Sequence, residues 1–189
     1  MAATDLGLIE ARRSPLTLRE PGPDQAALDV MLSAAMRAPD HGRLKPWRFI
    51  VVSGPARLSF GRLLAESLAR RDPDASGETL QREREKALRG PVILVVIAKP
   101  VEQRNVPRIE QVIAAGIAAY NVLLAATPLG FGGMWRTGPA AYDPDVKRAL
   151  GIDPADEIVG FLYLGTPDRM PASRRPADPR EHVLQWAGT

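Results

Sequence analysis

Two arginines and a serine stand side by side near the amino-terminal end of the chain, as Arg12-Arg13-Ser14. Two guanidinium groups and a hydroxyl within three residues suit an anionic phosphate, because arginine donates paired hydrogen bonds to phosphate oxygens. The same residues also fit an ordinary basic helix end, where positive charge offsets the helix dipole. The motif is therefore a candidate phosphate site, and its local sequence leaves both interpretations open.

A second group of chemically capable residues surrounds Pro39, with Arg37 before it and Asp40-His41 after it. Proline restricts the backbone and fixes a bend at this point. His41 fits three roles: a structural histidine, a general base beside Asp40, or a contact to a ligand. Together with Ser14 it raises the alternative of a phosphoester hydrolase, although the chain has no Gly-x-Ser-x-Gly nucleophile elbow.

A third candidate is the glycine-rich segment Gly130-Phe131-Gly132-Gly133-Met134-Trp135-Arg136-Thr137-Gly138. Its glycines allow the backbone to approach a flat or charged ligand closely, and they equally suit a tight turn between a helix and a strand. The spacing does not match the dinucleotide-binding fingerprint, and the chain has no phosphate-loop lysine motif.

The composition excludes several other chemistries. The chain has no cysteine, which rules out disulfides, zinc–thiolate sites, iron–sulfur clusters and a cysteine nucleophile. With His41 and His182 as its two histidines, we expect no metal site. A net charge of +3 is too small to indicate a nucleic-acid surface. The amino terminus lacks a basic, apolar leader, and the longest apolar stretch, residues 112–126, is short for a membrane span. These features predict a cytoplasmic protein.

The apolar spacing predicts helices and strands in mixed order. The predicted helices cover residues 5–13, 24–37, 55–71, 78–89, 108–127 and 144–151, and the predicted strands cover residues 47–53, 92–98, 134–136 and 158–164. In the helix at 55–71 the leucines Leu58, Leu63, Leu64 and Leu68 are expected to face inward. The charged helix at 78–89 is expected to be solvated.

The helix at 108–127 and the carboxyl-terminal tail both suggest a second subunit. That helix is apolar nearly all round, which is typical of burial inside the core or at a subunit interface. The tail, residues 167–189, is rich in proline yet carries Val183, Leu184 and Trp186, which need cover. We expect one domain over residues 1–189, of α+β class with a small mixed sheet among helices, and a tail that packs on a partner subunit.

Taken together, the order and spacing of these motifs resemble the FMN-dependent nitroreductase superfamily, and more closely its short NAD(P)H nitroreductase members. The resemblance rests on four segments that span residues 12 to 167. They are Arg12-Arg13-Ser14, then Met36 to His41 followed by Pro46-Trp47, then Gly130 to Gly138, and finally Val159-Gly160-Phe161-Leu162-Tyr163-Leu164-Gly165-Thr166-Pro167.

The resemblance implies a homodimer with swapped termini and two non-covalently bound FMN molecules at its interface, each contacted by both chains. It assigns one set of residues to FMN: Arg12, Arg13 and Ser14 at the phosphate and ribityl group, Arg37 and His41 from the other subunit, and Trp135, Arg136 and Thr137 alongside the cofactor. It assigns a second set to the nicotinamide dinucleotide: Ala125, Ala126, Thr127, Pro128, Leu129 and Gly130.

The implied activity is the reduction of an electron-poor acceptor, such as a nitroaromatic or a quinone, by two electrons from NAD(P)H in a ping-pong reaction. The chemistry would occur on FMN, so no catalytic side chain is expected. A positive group, Arg136 or Lys45, would stabilise the reduced flavin. Lys45 stands where many relatives have an amide side chain, and Arg174 or Arg175 are further candidates for the phosphate. The alternative function is a flavin- or nucleotide-binding module without turnover.

Overall fold

The computed structural model describes residues 6–172 and 176–188. Within them the helices are α1 (Leu6–Ala11), α2 (Gln25–Ala35), α3 (Ala56–Arg71), α4 (Gly77–Glu85), α5 (Arg108–Ala126) and α6 (Pro144–Ala149). The strands are β1 (Leu18–Arg19), β2 (Trp47–Ser53), β3 (Val92–Ala98), β4 (Gly132–Arg136) and β5 (Glu157–Pro167). Single turns of 3-10 helix cover His41–Arg43, Lys86–Leu88, Pro139–Tyr142 and Pro179–Glu181.

The strands form an antiparallel sheet around β5. This long strand pairs with β3 along most of its length, with β4 on its other side, and with the short β1 at its carboxyl-terminal end. β2 pairs with β3 and completes the order β1-β5-β3-β2. The predicted α+β class is confirmed, and its small sheet is antiparallel.

Two helical layers cover the sheet. Helices α2 and α5 pack on one face, and helices α3, α4 and α6 lie on the other. All seven residues of β3 are buried, as expected for a strand covered on both faces. Successive side chains of each strand therefore point alternately to the face covered by α2 and α5 and to the face covered by α3, α4 and α6.

Local sequence explains the helix starts. The carboxylate of Asp24 accepts a hydrogen bond from the backbone N–H of Ala27 at 2.8 Å, which caps α2. Asp143 caps α6 by accepting from Asp145 at 2.8 Å, and Pro144 follows in the first turn. The prediction for Leu58 is wrong: it is 57% exposed, because the face of α3 that packs inward carries Phe60 and Leu64.

Helix α5 is long and apolar enough to cross a membrane if only length and composition are considered. In this fold it is the core helix of one layer, since it packs against α2 and the sheet. Its outer side still exposes Ile109 at 62% and Ile113 at 53%, one helical turn apart. Helix α5 is therefore apolar on more than one side, as predicted, and part of its apolar surface is exposed in the single chain.

The tail after β5 leaves apolar side chains uncovered. Val183 is 56% exposed, Leu184 is 97% exposed and Trp186 is 86% exposed. Such side chains normally find cover, so the exposure agrees with a tail that packs on another subunit. That course, and the single domain over residues 1–189, stay predictions.

Candidate functional site

The three residues Arg12, Arg13 and Ser14 line one cavity of about 280 Å³, together with Pro171 and Ala172. The Arg12 guanidinium donates to Ser14 Oγ at 3.3 Å, and the Arg13 guanidinium donates to the carbonyl of Arg12 at 3.1 Å. Among the described residues Arg12 has no carboxylate partner, so its charge is available to an anion. We call this space the amino-terminal cavity. Arg174 and Arg175 lie outside the described residues.

The sheet holds this cavity in place through Pro15, which is fully buried. Pro15 packs over Gly132 at the start of β4, where an added Cβ would lie 2.9 Å from the proline Cγ. Two residues later the chain joins the sheet, since the carbonyl of Thr17 accepts from Asp168 and Leu18 pairs with Pro167. Arg12 and Ser14 are thus fixed beside the first residue of β4.

The glycine-rich segment has three structural roles. Gly130 has φ +83 and makes the turn after α5, which glycine adopts without strain. Gly132 and Gly133 allow close packing within the fold, because an added Cβ at Gly133 would lie 2.4 Å from Leu123. Gly138 has φ +124 and no neighbour within 4 Å of an added Cβ, so it leaves open space next to β4. Of these glycines, Gly138 is the one that borders a cavity.

Trp135 and Arg136 are adjacent in β4 and point to opposite faces of the sheet. The indole of Trp135 lies on the α5 face, where its Nε1 donates to the carbonyl of Val159 at 3.3 Å. Arg136 lies on the α3 and α4 face with Met134, whose sulfur is 3.9 Å from the guanidinium. The structure therefore does not bring these two predicted side chains together.

Arg136 and Thr137 instead border a second cavity, of about 240 Å³, between β4, α4 and the turn at Pro139–Tyr142. We call it the basic cavity, because its charged lining includes Lys86, Arg89 and Arg136 against one acidic residue, Glu83. Lys86 and Glu83 form an ion pair, so the two arginines remain as the cations without a carboxylate partner among the described residues.

The floor of the basic cavity is Tyr163, which is 3% exposed. Burial raises the pKa of Tyr163 to about 12, against the opposing charges of Arg89 and Arg136. Its hydroxyl has no hydrogen-bond partner in the part of the chain that the structure describes. A neutral donor and two guanidinium groups therefore meet at one polar space, which suits a ligand that presents oxygen atoms.

The sequence predictions did not include Glu83, Lys86, Arg89 or Tyr163, which border the basic cavity. The prediction that residues 78–89 form a solvated helix is only partly right: no residue of α4 is buried, but Glu83 and Lys86 face the basic cavity. Charge spacing along a helix shows that a face is polar and does not show which strand it faces.

Arg37 and His41 lie on the α2 and α5 side of the fold. Arg37 is exposed after the end of α2, and the described residues give its side chain no partner. His41 Nδ1 lies 2.7 Å from Glu110 Oε2, in the first turn of α5. Asp40 is not a partner of His41, because its carboxylate accepts from the backbone N–H groups of Leu44 and Lys45. The structure therefore offers no His41–Asp40 pair for a hydrolase.

His41 is far from the amino-terminal cavity. Arg108, at the start of α5, forms an ion pair with Glu157 at the first residue of β5. The amino-terminal cavity lies beyond the last residue of that strand, Pro167. An eleven-residue strand is about 35 Å long, so one chain cannot bring His41 and Arg12 to the same small ligand.

The segment assigned to the nicotinamide, residues 125–130, closes α5 and the following turn. The Phe131 N–H donates to the carbonyl of Ala126 at 2.9 Å, which ends the helix. Ala126 is fully buried, so its side chain is not available to a ligand. Pro128, Leu129 and Gly130 are exposed and can be reached by a ligand, whereas Ala125 and Thr127 are half-buried.

A comparison with family models matches residues 9–166 to the model described as "Nitroreductase family". The chain belongs to the nitroreductase family. An Escherichia coli (strain K12) protein named "Putative NAD(P)H nitroreductase YdjA" is 41% identical over 162 residues, which are 86% of this chain and 87% of that protein. The predicted family is thereby confirmed over most of the chain.

Solved structures of this family share the fold. A nitroreductase-like family protein from Bacillus cereus superposes with a TM-score of 0.79 at 26% identity, covering 96% of this chain and 95% of that one. A nitroreductase from Desulfovibrio desulfuricans, solved in complex with FMN, superposes with a TM-score of 0.72 at 25% identity, covering 97% of each chain.

Proposed function

We propose that this nitroreductase-family chain is an FMN-dependent oxidoreductase that takes electrons from NAD(P)H. The observation that carries the proposal is the position of the two cavities at opposite ends of β4. Gly132 and Arg136 have the same orientation in the strand, and Pro15, which follows the residues of the amino-terminal cavity, packs over Gly132. Four residues of extended strand separate them by about 13 Å. This arrangement suits an elongated ligand with a phosphate at one end and oxygen-bearing rings at the other.

The residues present fit FMN at both ends. At the amino-terminal cavity, Arg12 and Ser14 would hold the phosphate, with Arg13 braced against the backbone. At the basic cavity, Arg136, Arg89 and the Tyr163 hydroxyl would face the carbonyl oxygens of the ring system. Lys45 lies in a different loop, before β2, so Arg136 is the better candidate for the positive group.

We infer that two copies of the chain complete each site. His41 lies about 30 Å from the phosphate residues of its own chain and would reach their flavin from a partner, and we assign Arg37 to the same partner contact. The uncovered apolar side chains of α5, Ile109 and Ile113, would pack on that partner. Leu184 and Trp186 of the tail would find cover on the same subunit.

Within this site the protein supplies position and charge. When bound, FMN would supply the redox chemistry, by accepting hydride from a nicotinamide and passing two electrons to a second substrate. Arg136 and Arg89 would stabilise the negative charge that reduction places on the ring, and Tyr163 would stay protonated as a donor. The exposed residues Pro128 to Gly130 would border the nicotinamide.

The acceptors we propose are nitroaromatic compounds and quinones. These electron-poor, flat molecules would take the place that the nicotinamide leaves, which makes the reaction ping-pong. We also propose a cytoplasmic location, where NAD(P)H is available, and no partner other than a second copy of the chain and its small-molecule substrates.

The first experiment is an absorbance scan of the purified protein. We expect a yellow protein with flavin bands, and a colourless protein that takes up no added FMN would overturn the proposal. Oxidation of NADH or NADPH with a quinone acceptor then separates an enzyme from a flavin-binding module without turnover.

A residue test locates the phosphate. Arg12→Ala removes a charged hydrogen bond, which is worth about 1.5–3 kcal/mol, so FMN affinity should fall roughly 10- to 150-fold. Arg104→Ala, in the exposed loop before α5, is the matched control and should leave the affinity unchanged. Equal affinities of the two variants would remove Arg12 from the site.

A further inference from the structure

The contact between His41 Nδ1 and Glu110 Oε2 joins two elements that are 69 residues apart in sequence. His41 lies in the turn before β2, and Glu110 lies in the first turn of α5. The two side chains are 60% and 44% exposed, and an exposed pair of this kind adds little to stability. Because the 2.7 Å contact between His41 Nδ1 and Glu110 Oε2 adds little to stability, we assign it a role in orienting the His41 ring.

The loop that carries His41 is held in place without Glu110. The Asp40 carboxylate accepts from the Leu44 N–H at 3.1 Å and from the Lys45 N–H at 2.7 Å. On the other side Gly42 packs on Val106, with 3.2 Å between an added Cβ and the valine Cγ2. The backbone of His41 is thus fixed from two sides, and the contact with Glu110 is left to set the direction of the imidazole ring.

Among the neighbouring carboxylates, Glu110 is the one that contacts His41. Asp40 is occupied by backbone N–H groups, and Glu157 is occupied by Arg108 at 2.9 Å and Lys147 at 3.3 Å. Because the carboxylate contacts Nδ1, the neutral imidazole carries its proton on Nδ1 and presents Nε2 as a hydrogen-bond acceptor.

We propose that Glu110 is a positioning residue that fixes the His41 tautomer, so that Nε2 accepts a hydrogen bond from the cofactor of the partner subunit. This inference rests on the proposed function. It also specifies the contact: an acceptor nitrogen meets a donor, which on FMN is a ribityl hydroxyl or the ring N–H. In this arrangement the arginines of the amino-terminal cavity, and not His41, would bind the FMN phosphate.

Imidazole nitrogen NMR tests the tautomer directly, because the chain has only two histidines. Full-length protein, labelled with ¹⁵N, is measured at a pH where imidazoles are neutral. We expect the Nδ1–H form for His41, and for the exposed His182 the Nε2–H form that free imidazoles favour. Glu110→Gln keeps an acceptor and should keep this difference, whereas Glu110→Leu should abolish it. An Nε2–H tautomer at His41 in the unsubstituted protein would overturn the inference.

FMN affinity gives the second readout. Glu110→Leu should weaken FMN binding roughly tenfold, about as much as His41→Ala, and the double variant should lose no more than either alone. Glu66→Leu, which removes an exposed carboxylate from α3, is the control and should bind normally. Additive losses would show that the two residues act separately. A protein that binds no FMN while His41 keeps its tautomer would refute the proposed function alone.

Discussion

The indole of Trp135 lies directly against Gly160, and a Cβ added to that glycine would be 2.2 Å from the indole Nε1. Glycine is therefore required at this point of β5, opposite the strand that carries the candidate flavin residues. The packing fixes the Trp135 indole on the α5 face, and the side chain of its neighbour Arg136 borders the basic cavity on the other face.

The change Gly160→Ala should force the indole out of place. Overpacking of this kind costs about 1–3 kcal/mol, and the free energy of unfolding measured in urea should fall by that amount. Gly77→Ala is the control, because an added Cβ there meets nothing within 4 Å. It should leave stability unchanged or raise it slightly. A Gly160→Ala protein as stable as the unsubstituted chain would contradict the described packing.

Mixing two variants with weakened FMN binding tests the shared site. Arg12→Ala and His41→Ala should each weaken FMN binding alone, since every site would need Arg12 from one chain and His41 from the other. In a mixed dimer one of the two sites keeps both residues. After subunit exchange at equal concentrations, about a quarter of the sites should recover high affinity. If the mixture binds no better than its components, both residues serve the same chain or one of them has no role.

The buried phenol of Tyr163 should make stability depend on alkaline pH. Its pKa is raised from 10.0 to about 12 by burial. Between these values the unfolded chain releases the proton while the folded chain retains it, so stability falls as pH rises. Tyr163→Phe should reduce this slope in urea midpoints measured across the window. Tyr142→Phe, at a site 72% exposed, should not.

The loop before β2 contains backbone strain at Lys45, which has φ +50. A left-handed conformation costs a side chain about 1–2 kcal/mol, and glycine avoids this cost at a smaller loss of chain entropy. Lys45→Gly should therefore raise the free energy of unfolding by about 0.5 kcal/mol. Lys99 does not have a positive φ, so Lys99→Gly should lower the free energy of unfolding. Thermal unfolding of the two variants measures both changes.

The regular elements were predictable because burial leaves a local signature. β3 is a run of seven apolar residues with the bounds that the sequence indicates, and Asp24 marks the start of α2 with its cap. The pair Leu18–Arg19 was missed, because a two-residue strand has no period of its own. Leu58 was placed wrongly, since an apolar type alone does not decide which face of α3 packs inward.

The candidate site was predictable only in part. Arg12, Ser14 and Thr137 border cavities, and their assignment to FMN stays a prediction. The basic cavity is formed by α4, β4 and β5, whose residues lie far apart in sequence, so no local pattern points to Arg89 or Tyr163. The predicted strand at 134–136 already implies that Trp135 and Arg136 point to opposite faces, but which face each one takes depends on the pairing of β4 with β5.

The length of β5 has a consequence for how the protein behaves on dilution. Under the proposed function, this strand separates the two groups of FMN-binding residues, so a lone subunit would retain only one of them. Subunit association and cofactor retention would then be linked by mass action, and apparent FMN affinity should weaken as total protein falls below the dissociation constant of the pair.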